Sequence, residues 1–349
     1  MTRPLRLAAA IAALLCAAVL PAMARERAPF PDTAFDSGVQ SAETLGRGNT
    51  IASNRGTPAS GSENPAGLQL SDIGGSLYAT TLVNTRTVLP HDVADGSDPL
   101  NGKVIQYLSV GADKGVLFYE PISRLHQTQV VDATAGTSRD VDLNANALGF
   151  AGAQKWKDGS FGLSIAYLFS SLNVIDRNNG AITDVTHDTQ DGLRLNLGVR
   201  YPTGPAMWGA VIQNAPGLLW GSAYKRSELP VRIRVGNTYR LAKGVLFSLD
   251  AERRFYHEGG HGDNYVYVGN ETYVSEHVVA RVGAFGTSLN SADTRTITAG
   301  ATIIARDNTQ ISYAYEQYQL DGEKVKRSIV SVSLPFEASN IDDGSSKYK

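Results

Sequence analysis

The sequence predicts an all-β fold, a transmembrane antiparallel β-barrel of about 14 strands preceded by an N-terminal hatch or plug segment. Three observations lead there. Apolar residues recur at every second position in window after window, short and long connections alternate between those windows, and no apolar run beyond residue 24 is long enough for a membrane helix.

Composition narrows the field first. Of the 349 residues 19% are charged and 35 are glycine, so charge is sparse and glycine frequent for a soluble domain. A formal charge of −2 supplies no basic field for a nucleic acid backbone, which removes nucleic acid as a partner. Mean hydropathy is −0.17. That value is compatible with a barrel, which hides its apolar surface in alternation.

Residues 1–24 read as a secretory signal peptide. Arg3 and Arg6 precede an apolar run from Leu7 to Leu20, and Ala22-Met23-Ala24 supplies the small-residue cleavage site before Arg25. The single cysteine, Cys16, lies within it, preceded by Leu15 where a lipidation site wants a small residue. Cleavage leaves 325 residues without cysteine and a formal charge of −4, because Arg3 and Arg6 are lost and no acid is. An exported chain without disulfides needs a large core, a metal or a membrane.

Residues 25–73 form the expected hatch segment, dense in Gly, Ser, Asn and Thr and without clean alternation. Alternation governs residues 74–336. Leu193, Leu195, Leu197, Val199 and Tyr201 are separated by Arg194, Asn196, Gly198 and Arg200. Val231, Ile233 and Val235 alternate with Arg232, Arg234 and Gly236; Val245, Phe247, Leu249 and Ala251 alternate with Ser248, Asp250, Glu252 and Arg254. Phe161–Phe169 and Ile311–Tyr315 repeat the pattern, and the last strand closes on Val330, Val332, Leu334 and Phe336. Short connections fall at 112–115, 157–159, 203–205, 241–244, 274–277 and 306–308, and longer ones near 89–101, 132–139, 176–190, 215–229, 257–263, 289–293 and 320–325. Tight periplasmic turns alternating with longer outer loops are the pattern of a bacterial outer-membrane barrel. A soluble β-sandwich also alternates, but aromatics near strand ends, such as Tyr201, Tyr239, Phe255, Tyr256, Tyr273 and Tyr318, are placed as interface girdles are. A hydrophilic tail, residues 337–349, follows the barrel.

Inside and outside are then fixed by cost. Arg194, Arg200, Arg232, Arg234, Arg254 and Arg281 share one face with Asp250, Glu252, Glu271 and Glu316. Facing lipid, each arginine would cost a few kcal/mol near the bilayer midplane, so that face is the lumen. These charges either anchor a ligand carboxylate, rim a pore, or form ion pairs that tie wall to plug.

Catalytic chemistry finds no foothold. His257-Glu258-Gly259-Gly260-His261 spells H-E-x-x-H, but that zinc motif needs a helix to set both histidines on one face. Two adjacent glycines and a span of only about seven residues between strands make a solvated loop instead. No Ser/His/Asp set and no phosphate-cradling glycine pattern appears, so neither an enzyme nor a cofactor or metal site is expected.

Leu45-Gly46-Arg47-Gly48-Asn49-Thr50 leads to Glu63-Asn64-Pro65-Ala66-Gly67-Leu68, just before the first strand. This arrangement resembles the hatch of the FadL-type outer-membrane transporters and their PorV/PorQ-like relatives. Tyr267–Tyr273, Val279–Gly283, Ser312–Tyr315 and Arg327–Phe336 look like strands of the PorV type. The resemblance covers about residues 45–336 and implies that Asn64, Pro65, Ala66 and Gly67 form a gate inside the barrel. It implies further a conduit for hydrophobic small molecules such as fatty acids in a Gram-negative outer membrane. The alternative is a non-transporting barrel that binds protein partners in secretion or surface assembly. Either way the partners are the lipid bilayer and the machinery that assembles outer-membrane proteins.

Overall fold

The computed structural model describes residues 27–30, 32–35, 40–54, 56–70, 76–84, 105–112, 115–256, 262–320 and 323–335. The expected signal peptide, the 89–101 loop, the H-E-x-x-H run from His257 to His261 and the 337–349 tail lie outside these residues.

The chain builds one sheet that closes on itself. Its strands are β1 (Ser76–Asn84), β2 (Ile105–Ala112), β3 (Gly115–Asp132), β4 (Thr137–Trp156), β5 (Gly159–Asn178), β6 (Ala181–Thr203), β7 (Ala206–Gln213), β8 (Gly217–Trp220), β9 (Ser227–Glu228), β10 (Val231–Ala242), β11 (Val245–Phe255), β12 (Asn264–Ser275), β13 (Val278–Gly286), β14 (Arg295–Ile304), β15 (Gln310–Leu320) and β16 (Glu323–Pro335). Every neighbouring pair is antiparallel, β1 pairs with β16, and β5 pairs with β6, so no edge is left around the ring. The short β8 and β9 prolong β7 and β10 beyond interruptions, which leaves a wall of fourteen strands among the described residues.

Alternation sets the faces as the sequence predicts. On β5, Phe161, Leu163, Ile165 and Tyr167 are exposed outward while Ser164 and Ala166 are buried inward. On β10 and β11, Arg232, Arg234, Asp250 and Glu252 are buried inside, and Ile233, Val235, Phe247 and Leu249 look out. Only a hydrocarbon surround makes this burial favourable, since the exposed side is the apolar one. Aromatics mark the limits of that surround. Trp156, Tyr201, Trp208 and Tyr239 ring the end with the tight turns. At the other end the Tyr167 hydroxyl donates to the Asp191 carboxylate, and above it the outward positions Thr189 and His187 are polar.

Four expectations on loops are corrected. At 320–325 Leu320 of β15 already pairs with Glu323 of β16, residues 132–139 hold only a tight turn at 133–136 between strands, and 176–190 are mostly strand around a turn at 179–180. Here β3–β6 rise above the membrane, both faces of the outer hairpins carry polar residues, and the period-two signal fades although the ladder continues. Ten residues of β6, 181–190, stand about 30 Å along the strand beyond the aromatic boundary. Within 215–229 the chain also forms β8 and β9. Among the girdle aromatics, Tyr256 is buried.

Residues 40–70 lie inside the barrel. A short helix, α1 (Ala42–Gly46), starts on Ser41, whose hydroxyl accepts the Thr44 N–H at 3.0 Å. Two 3-10 turns follow, Pro58–Gly61 and Pro65–Leu70. A fourteen-strand lumen is too wide for wall side chains to fill, and this segment fills it.

Candidate functional site

Wall glycines let the internal backbone press against the strands. A Cβ on Gly209 would stand 1.8 Å from the Ala52 carbonyl oxygen, and one on Gly198 would stand 1.9 Å from Asn64 Oδ1. The same holds for Gly162 under Pro65 at 2.2 Å, Gly269 under the Arg47 carbonyl at 2.0 Å and Gly283 under Gly48 at 2.3 Å. A side chain there collides with backbone, or at Gly198 with the Asn64 amide, so these positions seat the segment in one register.

The candidate gate, Asn64-Pro65-Ala66-Gly67, sits at the inner end against β5 and β6. Asn64 Nδ2 donates to the Ala52 carbonyl at 2.7 Å, and its Oδ1 accepts the Ala66 N–H at 3.1 Å. Gly67 N–H closes the turn on the Asn64 carbonyl at 2.9 Å, and Ser160 Oγ holds the Ala66 carbonyl at 2.9 Å.

All ten predicted lumen charges point inward, and most pair across strands or onto the internal segment. Arg234 Nε meets Glu252 at 2.7 Å, and Glu252 also takes Arg254 Nε at 2.6 Å. Arg281 meets Glu271 at 2.6 Å with Arg47 of the internal segment 3.5 Å from the same oxygen, and Arg327 meets Glu316 at 2.6 Å. Asp250 Oδ2 accepts the N–H groups of Ile51 and Ala52 at 2.7 and 2.9 Å. Arg200 donates to the Ser53 carbonyl. Arg194 meets Glu120 at 2.6 Å. In low dielectric such pairs hold geometry, and breaking one strands its partner.

Sequence reasoning missed, among other buried charges, four on or against the internal segment: Glu43, Arg47, Glu63 and Glu120. Glu43 accepts from Tyr78 at 2.7 Å and Ser312 at 2.6 Å, and Glu120 accepts from Ser62 at 2.5 Å. They sit outside clean alternation, so no period exposes them. It also missed a break in a wall strand, across which Ala215 N–H still reaches the Leu195 carbonyl of β6 at 2.9 Å. After Gln213 the chain turns through Asn214 at φ 59°, then through Ala215-Pro216, before β8 resumes the pairing with β6. Pro216 has no N–H to give the ladder. The Asn-Ala-Pro triplet was the available signal.

Beside the break lies a small polar space, with Glu63 on the internal side and Arg194, Gln213, Asn214, Arg232 and Arg234 on the wall side. Gln213 Nε2 ties the break to the gate by donating to the Glu63 carbonyl at 2.8 Å. Burial pushes the Glu63 carboxyl up from 4.5 to about 7, opposed by the nearby Arg47 and by the hydrogen bond from Thr44, and reinforced by Glu43. The seated segment therefore favours protonated Glu63. Its contribution, roughly 3 kcal/mol, is complete below about pH 4.5 and is lost as pH rises through about 7. Brief openings in single-channel recordings should become more frequent between pH 6 and 8 in the wild type and stay level in Glu63→Gln. A level wild-type profile would refute this.

Above the charged layer the interior changes character. Ile122, Leu125, Val141, Leu143, Leu172 and Val174 face inward from β3–β5 and are buried. Phe30 and Phe35 of the chain's own N-terminal part fill this chamber, with ring centroids 5.3 Å apart, edge to face. Gln129 Nε2 fastens the Pro29 carbonyl at 2.9 Å.

No known family's sequence profile matches the chain, and no curated relative does. Solved structures do. The chain is similar to the P. putida toluene transporter TodX with TM-score 0.57 at 12% identity, covering 87% of this chain and 100% of that one. The Ralstonia pickettii toluene transporter TbuX gives 0.54 at 14% identity over 87% and 99%, and a Pseudomonas aeruginosa FadL homologue gives 0.53 at 11% over 84% and 97%. At these identities the likeness establishes a shared fold.

Proposed function

We propose that the protein is an outer-membrane conduit for hydrophobic small molecules, with residues 40–70 as its hatch and Asn64, Pro65, Ala66 and Gly67 as the gate. The observation that carries this is the apolar chamber in the outer half of the lumen. A water-filled pore is lined by polar side chains; here the lining is aliphatic and the occupants are two phenylalanines of the same chain. A hydrophobic ligand gains the same burial by replacing Phe30 and Phe35, about 2 kcal/mol for each ring-sized group. The strand interruption at Asn214–Pro216, beside the gate, has fewer ladder bonds to part than the continuous strands around it, and is where the wall would open for such a ligand. The shared fold with the toluene transporters TodX and TbuX accords with small apolar cargo, fatty acids being the longer-chained alternative.

The test is uptake into vesicles containing the purified protein. Wild type should accumulate labelled toluene and fatty acid faster than empty vesicles. Asn64→Ala, which frees the Ala52 carbonyl and unlocks the turn, should change that rate severalfold, and deletion of residues 40–70 should abolish ligand selectivity. Uptake at the rate of empty vesicles by all three would remove the reading.

A further inference from the structure

One piece of the outer wall is held differently from the rest. The β8–β9 hairpin joins the barrel through four residues of β8, paired with Asp191–Arg194 of β6, and among the described residues β9 pairs with β8 alone. So short a ladder opens more readily than the long strands beside it. The tip of the hairpin, residues 221–226, folds inward across β6, and a single side chain gathers it there. The Asp188 carboxylate accepts the Ser222 N–H at 2.8 Å, the Ala223 N–H at 3.1 Å and the Ser222 hydroxyl at 3.1 Å. Gln190 Nε2 braces the other carboxylate oxygen at 3.3 Å. Bonds to an ionised acceptor are the strong ones.

Burial shows what the tip covers. Ser222 and Ala223 are exposed, whereas Asp188 beneath them is 1% exposed. Asp188 stands directly across from Leu172, one of the aliphatic residues of the apolar chamber. The next tip residue, Tyr224, is half-buried and packs against the apolar cluster of that chamber, to which Leu219 and Leu229 on the two arms of the hairpin also belong. Gly221 permits the close fit, since a Cβ there would stand 2.1 Å from Asp188 Oδ2.

We infer that residues 221–226 are the outer door of the chamber and that Asp188 is its latch. An apolar ligand arriving from outside enters when the Asp188 bonds part and Tyr224 swings off the apolar cluster. The inference rests on the conduit reading and gives it an entrance. Asp188 is a positioning residue, because it holds the door and not the ligand.

The experiment pairs two readouts. Trypsin cleavage after Lys225 and Arg226, in nanodiscs, reports release of the tip without any transport, and uptake of labelled toluene into vesicles reports entry. Asp188→Ala removes the latch, and Gly221→Val unseats the tip while leaving the carboxylate in place. Each should raise the cleavage rate about tenfold and the uptake rate severalfold. Asp188→Cys combined with Ser222→Cys replaces a contact of 3.1 Å by a lock, and the native Cys16 lies in the expected signal peptide. Oxidised, this protein should take up toluene no faster than empty vesicles; reduced, it should exceed wild type, a reversal that misfolding cannot produce. Wild-type cleavage in both single variants overturns the latch. Faster cleavage with unchanged uptake overturns the door, as does undiminished uptake by the oxidised pair. Should one single variant fail to fold, the other decides. Wild-type uptake at the rate of empty vesicles, with cleavage still accelerated in the variants, removes the conduit reading and leaves the latch standing.

Discussion

Asp250→Ala should turn a plugged barrel into an open pore. Asp250 is fully buried on β11 and takes two consecutive backbone N–H groups, from Ile51 and Ala52, on one carboxylate oxygen. Alanine leaves both donors buried and unmatched, about 1–3 kcal/mol each. Arg234, with Nη1 4.0 Å from that oxygen, loses a counter-charge as well. Such sums compare with the whole stability of a small domain, and the seat of residues 49–54 is much smaller than a domain. In planar bilayers the variant should show large, sustained ion currents where wild type is nearly silent, and Asp250→Asn, which keeps one acceptor, should fall between. Wild-type silence in Asp250→Ala would mean the segment is held by packing alone.

The second large effect is steric. Gly209→Leu places a Cβ within 1.8 Å of the Ala52 carbonyl oxygen, a backbone atom that cannot swing aside as a side chain tip does. Either the strand or the internal segment must move. The strand is laddered on both sides, to Arg200 of β6 and Gly236 of β10, so the segment yields. Cells expressing this variant should become sensitive to a bulky antibiotic that an intact outer membrane excludes. Ala210→Leu, one residue along and paired with the outward Val199 and Val235, adds apolar surface to the lipid side and should leave sensitivity at the wild-type level. Equal sensitivity of the two variants would contradict the seating role of the wall glycines.

These two residues show how unevenly the sequence discloses function. Asp250 declares itself, because a carboxylate between Leu249 and Ala251 in an alternating strand has one affordable direction, inward. Gly209 does not. A glycine in a strand reads as a weak strand residue until the Ala52 carbonyl is seen pressed against it. The ten lumen charges were legible for the same reason as Asp250. Their partners on residues 40–70 were not, because an irregular segment has no period, and which wall residue it meets depends on contacts up to 289 residues apart, as Ala42 N–H to Ser331 Oγ shows.

The sequence by itself determined the membrane-spanning barrel, its strand number and its inward and outward faces. Local repulsion settles all of these: charge cannot face lipid, and period two cannot be read as a helix. Only the tertiary structure decided that β3–β6 continue above the membrane, that the upper lumen is aliphatic and filled by Phe30 and Phe35, and that a wall strand is interrupted at Asn214–Pro216 beside Glu63. Those features arise where strands distant in the chain enclose a common interior, and what an enclosed space holds depends on all of its walls at once.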